Sequence, residues 1–332
     1  LVFVMFSPHI SFLVFLLFIP FVLCDEVRTA QELINIFNSA AGAPVTKDIV
    51  LKNHIDFSET NFKKPLGLSS SGSCVEYSGT FQGNGFSIQG LVMYKTTGRL
   101  FKAGLFCTLK NAVIENLVID SSCSFTGWFA GALSPIVSGS VNITHVTNKA
   151  NVSGDELSGG FFGTVQSQEN VEVFLDECKN EGNVSSVGHI NVGGFIGQFQ
   201  SNNNINITFS RCSNSGEITG YSSVGGFIGL MSGNKNTSAV IFESSNNGYV
   251  NGTCEIGGFV GYILSNQNME LSFSECSNSG ETNGTSQSGG FIGDISLNPS
   301  IKVSFSECLN DALISGSKKR SEERRVGKEC RS

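Results

Sequence analysis

The residues with reactive chemistry recur on a grid. Cys178, Cys212, Cys276 and Cys308 each follow a charged side chain (Glu177, Arg211, Glu275, Glu307) and stand two positions before an asparagine. Thiols in a shared slot could form disulfides, ligate zinc or act as nucleophiles. Zinc or nucleophilic chemistry needs a histidine at a fixed offset, and none of the four histidines keeps one. Val146 and Ser244 fill the same slot in two other copies, so it asks only for a small buried group. Reduced thiols are therefore expected. Cys178–Cys212 and Cys276–Cys308 bridges are the alternative, because neighbouring coils lie within disulfide reach.

A polysaccharide-cleaving site would need clustered acids for Ca²⁺ or acid/base work, with a basic partner. No such set is legible. Strict strand alternation would bury Glu177, Arg211, Glu243, Glu275 and Glu307, which is too costly for charges. A bend that turns them outward is expected. Glu243, Glu275 and Glu307 then form an acidic stripe that could collect Ca²⁺, although stacked carboxylates are more commonly just solvated. No metal or cofactor is expected.

The elements that position these groups repeat. A pentapeptide of the form Gly-Gly-Phe-x-Gly, written Gly-Trp-Phe-Ala-Gly in its first copy, starts at 127, 159, 193, 225, 257 and 289, steps of 32, 34, 32, 32 and 32 residues. A short fixed period is the mark of a solenoid. Asn148, Asn180, Asn214, Asn246, Asn278 and Asn310 form one column. Stacked rungs would join them in an amide ladder. Phe129, Phe161, Phe195, Phe227, Phe259 and Phe291 form a second column, read as a continuous apolar core. The next residues, Ala130, Phe162, Ile196, Ile228, Val260 and Ile292, either face out as a docking stripe or are buried by a glycine-enabled bend, and burial is favoured. Apolar residues three and five positions before the Cys slot alternate as in a strand with one buried face. Three short strands per coil give an all-β chain, a right-handed parallel β-helix. Upstream, Thr29-Ala-Gln-Glu32 is a capping box, and Ala30, Leu33, Ile34 and Phe37 share a helical face, so a helix is expected to cap the solenoid.

These repeats resemble GLUG-motif repeats, which pair Gly-Gly-Leu-Val-Gly with an Asn-Cys-x-Asn-x-Gly element. Here Phe replaces the usual Leu. The entry Phe81-x-Gly-Asn-Gly-Phe-x-Ile88, with Gly104-Leu-Phe106 and Ile114-x-Asn-Leu117, resembles the start of many such β-helices, and the resemblance covers roughly residues 27–317. It implies a secreted or surface-displayed protein, a class that includes adhesins. It also includes immunoglobulin A peptidases, whose catalysis lies in other domains.

The ends and composition agree with that address. Ile10 to Cys24 is apolar, too short to span a bilayer comfortably, and reads as the core of a signal peptide (residues 1–24). Residues 25–126 read as the cap and first coils, 127–317 as the repeats, and 318–332 as a tail. Its last thirteen residues, from Arg320, resemble a translated sequencing adapter, and the array is expected to be a fragment. Removing those thirteen takes five basic and three acidic residues from totals of 21 and 28, leaving 16 Lys+Arg against 25 Asp+Glu, a net charge of −9. Nucleic acid is an unsuitable partner for such a surface. Asn142, Asn151, Asn183, Asn206, Asn236, Asn251 and Asn283 stand in Asn-x-Ser/Thr sequons, which points to a glycoprotein. The leading expectation is a secreted or cell-surface, non-enzymatic, adhesin-like protein binding host or neighbouring-cell proteins or glycans. Membrane contact is expected only through the signal or a missing anchor. The alternatives are a β-helix carbohydrate-active enzyme and a stalk for a missing domain.

Overall fold

The structure, a computed structural model, describes residues 24–94, 101–167, 170–186, 188, 191–201, 204–233, 236–265, 268–296, 301–316 and 318–319. The segment up to residue 23, read above as a signal peptide, and the tail from Arg320 lie outside the described residues. Among the described residues no helix is long and apolar enough to cross a membrane.

The chain winds into a parallel β-solenoid with four stacked sheets. The first face stacks ten strands, from Asp25–Val27 and Ile49–Leu51 through Val171–Asp176, Ile205–Ser210, Thr237–Phe242 and Met269–Ser274 to Ile301–Ser306. The second face stacks nine short strands, including Lys179–Asn180, Ser213–Asn214 and Ser245–Asn246. The third face runs from Val92–Met93 to Lys318–Lys319, and the fourth from Glu76–Tyr77 to Ile292–Ile295. Every pairing between these strands is parallel, and apart from one irregularity after Gly127 the coils stack in register, so each side chain sits over its counterpart one coil away. Val173 pairs with Ile207, Ile207 with Ala239, Ala239 with Leu271 and Leu271 with Val303. This registry turns a sequence column into a physical ladder.

Two ladders fill the core. Phe161, Phe195, Phe227, Phe259 and Phe291 stack with centroid separations of 4.6–5.0 Å. Phe209, Phe273 and Phe305 from the first face meet them edge-on at 5.3–5.6 Å, the geometry that aromatic quadrupoles favour. Helix α1 (Ala30–Ser39) carries the capping box read from the sequence. It buries Ala30, Leu33, Ile34 and Phe37, and the Phe37 ring lies 5.7 Å from Tyr77 and 5.8 Å from Phe106. The helix thus covers apolar rings at the start of the stack, where an uncovered sheet end invites pairing.

Two expectations are corrected. The coils build four stacked sheets, not the three strands per coil expected from the sequence. Phe129 is not part of the core column. Gly131, not Gly127, pairs with Gly159, and Phe129 pairs with Leu157 across an irregularity after Gly127. The residue that meets Phe161 is Leu133, whose N–H donates to the Phe161 carbonyl (3.1 Å). Phe129 is left half-buried, and the first repeat spans 28 residues from Gly131 to Gly159. The fourth-face column accordingly begins at Ser134, which pairs with Phe162, rather than at Ala130. From Ser134 through Phe162, Ile196, Ile228, Val260 and Ile292 it is buried, so it offers no docking stripe.

Candidate binding groove

The bend after the first face places the charged slot. His145, Glu177, Arg211, Glu243, Glu275 and Glu307 all have φ between +47° and +53°. A left-handed residue breaks strand alternation, so these side chains are exposed while the next slot, Val146 to Cys308, is buried. Three coils cooperate here. His145 Nε2 lies 3.0 Å from Glu177 Oε2, and Arg211 Nε lies 3.2 Å from Glu177 Oε1. The Arg211 guanidinium is also 2.6 Å from the Asp176 carboxylate, which accepts a 2.5 Å hydrogen bond from Ser210 Oγ. This acid–base group was missed by sequence reading, because its members come from three different repeats. Ser210 is bonded to Asp176, and His145 to Glu177, so a Ser–His–acid relay is not assembled. The pairs are solvent-facing and contribute little to stability. Among the described residues no three His, Cys, Asp or Glu side chains are arranged to hold a metal.

The cysteine column stands just inside this bend. Cys178, Cys212, Cys276 and Cys308 are free thiols. Cys178 donates to the Ile143 carbonyl at 3.4 Å and Cys212 to the Ser210 carbonyl at 3.3 Å. Burial pushes the Cys178 thiol well up. At the far end, a hydrogen bond from Cys276 holds Cys308 down to about 7. A disulfide instead joins Cys74 and Cys107, with Cα atoms 5.4 Å apart. Their separation of 33 residues, one coil, was the available signal.

The asparagine column is fully engaged. Asn148, Asn180, Asn214, Asn246 and Asn278 each donate through Nδ2 to Oδ1 of the next asparagine at 2.8–2.9 Å, ending on Asn310. The first four also donate to the carbonyl two residues ahead, at 3.0–3.2 Å. In those four both amide hydrogens are committed, so they are structural and leave no donor for a ligand.

The surface opens where the chain enters the first face. Asn204, Asn236 and Asn268 precede strands paired at Ile205, Thr237 and Met269, so they stand one coil apart. Two residues further on, Asn206, Ser238, Glu270 and Lys302 form a parallel outward column. Between the columns lies a groove of about 640 Å³, with Thr237 in its lining. Asn268 Nδ2 donates to Asn236 Oδ1 (3.3 Å), and Lys302 Nζ lies 2.9 Å from Glu270 Oε1. Its size falls within the range of ligand sites. Amides, hydroxyls and one exposed ion pair supply donors and acceptors, with no acid–base pair poised for proton transfer.

The sequons divide between two faces. Asn142 and Asn206 lie on the first-face strands and Asn236 just before one, all exposed. Asn151 and Asn183 are exposed along the edge of the third face, and Asn251 and Asn283 are half-buried on it.

No protein-family model and no curated protein matches this chain. Among solved structures, the fold is similar to the 1.30 Å crystal structure of a provisionally named immunoglobulin A1 protease from Bacteroides ovatus. The TM-score is 0.57 and the sequence identity 15%, over 86% of this chain and 84% of that one. At that identity the likeness concerns the fold.

Proposed function

We propose that this chain is a secreted or cell-surface binding protein, adhesin-like, whose first-face groove takes hydroxyl-rich ligands, glycans of a host or neighbouring cell. The carrying observation is the groove itself, a coil-by-coil array of amides and hydroxyls between two outward columns. Repetition suits weak contacts that add up, because linked sites gain avidity without new contacts. The GLUG-like pentapeptide and Asn-containing elements, the signal-like leader and the sequons support the same address. The test is a glycan array probed with the full chain, alone and clustered on beads. Weak binding that strengthens on clustering and is lost in Asn236→Ala/Asn268→Ala is expected. Silence across glycans and cell surfaces would overturn it.

The second reading is an enzyme. The grouping of Asp176, Glu177, His145 and Arg211 favours it, as does the protease name of the Bacteroides ovatus neighbour. Turnover of uronates, glycans or peptides, abolished by Glu177→Gln, would place this reading first.

A further inference from the structure

The groove carries its own acceptors for modification. Asn206-Ile-Thr208 and Asn236-Thr-Ser238 are sequons, and both asparagines line the groove. We propose that Asn206 and Asn236 are N-glycosylated and that the attached sugars fold into the groove and cap it, so that modification decides whether the site is open to a ligand. This rests on reading the groove as a glycan site.

Geometry separates these two asparagines from Asn283, Asn151 and Asn183. Asn206 stands in the outward column beside Ser238. Its side-chain amide has no hydrogen-bond partner among the described residues. Asn236 accepts a bond from Asn268 through Oδ1, which leaves Nδ2, the atom that is modified, uncommitted. Asn283 is the contrast. Its Nδ2 donates to the Tyr249 hydroxyl at 3.0 Å, and its Oδ1 accepts from Ser315 Oγ at 2.5 Å. A sugar on Asn283 would break the Tyr249 bond. Asn151 and Asn183 lie on another face, so glycans there point away from the groove.

The transfer is balanced by ordinary secretory chemistry. Nδ2 attacks C1 of a lipid-pyrophosphate-linked oligosaccharide. The N–C1 bond forms, the C1–O bond breaks, the amide loses one proton, and the lipid pyrophosphate leaves with the electron pair. Transfer to a nascent chain precedes folding, so the fold governs where the glycan then lies. A first sugar on either residue falls among Asn204, Ser238 and Asn268, the same amides and hydroxyls that would meet a free ligand.

The full chain is to be secreted from glycosylation-competent eukaryotic cells and also made in bacteria without glycosylation. Glycopeptide mass spectrometry reads occupancy, and acylation of Lys302 reads groove access. That side chain is 78% exposed and therefore open to reagent when the groove is bare. Occupied Asn206 and Asn236, several-fold slower Lys302 acylation in the glycosylated chain, and restored acylation in Thr208→Ala/Ser238→Ala are expected. Unmodified Asn206 and Asn236, or equal Lys302 acylation with and without glycan, would overturn the proposal. Glycan-array binding by the bacterial chain is read separately. If it is absent, the ligand reading fails, whereas Lys302 protection still decides capping.

Discussion

Asn214 donates its side-chain amide to Asn246 across one coil, at 2.8 Å, while accepting from Asn180 at the same distance. Neither end of this link sees water. Asn214→Ala strands the Asn180 donor and the Asn246 acceptor together, at a cost of about 1–3 kcal/mol for buried unpaired groups. Asn214→Asp should be worse at neutral pH, since a carboxylate cannot donate to Asn246 and carries a buried charge. Thermal melts of both variants check the order. An Asp variant as stable as wild type would remove the ladder from the account of stability.

The phenylalanine column gives a sharper contrast. Phe227 lies between Phe195 and Phe259 at 4.8 and 4.6 Å, and Phe227→Ala should cost about 3–5 kcal/mol through lost burial and the cavity left. Phe129→Ala should cost roughly 1 kcal/mol or less, as expected away from a packed core. Equal losses, read by denaturant titration, would restore Phe129 to the column.

That contrast shows what sequence could and could not carry. The Asn and Phe columns were legible because parallel stacking demands the same side chain in the same environment at every turn. The outward bend was legible because five charges cannot be buried. The start of the array misled, since Gly127-Trp-Phe-Ala-Gly131 has the spelling of the pentapeptide at the right interval. Only backbone pairing shows that Gly131-Ala-Leu133 fills its place. The His145–Glu177–Arg211 group, the Cys74–Cys107 disulfide and the pairing of two outward columns into a groove all join residues from different coils. No local pattern marks such contacts until the register is known.

Tight contact between coils predicts a glycine penalty. A methyl group on Gly226 would run into the Gly258 carbonyl and lie 2.5 Å from Asn246 Oδ1. The neighbours are backbone and a committed amide, so they cannot yield cheaply. Gly226→Ala should destabilise by about 1–3 kcal/mol or more, as overpacking does. Gly72→Ala meets no atom within 4 Å and bears only the strain of its φ of +83°, roughly 1–2 kcal/mol. A Gly226 variant that melts with wild type would refute the close approach.

The left-handed bend makes its own prediction. Glu275 has φ +53° and an exposed side chain, and its N–H bonds to the Ser306 carbonyl at 2.9 Å. Glu275→Gly keeps that backbone bond and relieves roughly 1–2 kcal/mol of conformational strain, partly offset by the freer unfolded chain. It should be neutral or slightly stabilising. Glu275→Val, β-branched, should lose stability instead. Paired chemical denaturation curves decide, and a stable Val variant would contradict the bend.

The last prediction follows from the paired thiols at 276 and 308. The Cys276 hydrogen bond holds Cys308 down to about 7, whereas burial raises Cys123 to about 12. Cys308 should therefore be thiolate through the upper physiological range, and its alkylation should rise through pH 7 and then level off. Cys123 and Cys178 should stay protonated and slow, since the thiolate is the nucleophile. Stability carries the matching sign. A depressed thiol pKa contributes stability that is fully present above the unfolded value, about 8.5, and is lost as pH falls through about 7. Cys276→Ala removes the donor, so the Cys308 labelling midpoint should climb back toward the ordinary thiol value, while Cys276→Ser, which keeps a donor, should hold it low. Iodoacetamide pulses from pH 6 to 9, read by peptide mass spectrometry, separate these cases. A Cys308 midpoint unmoved by Cys276→Ala would show that the neighbouring thiol does not set it.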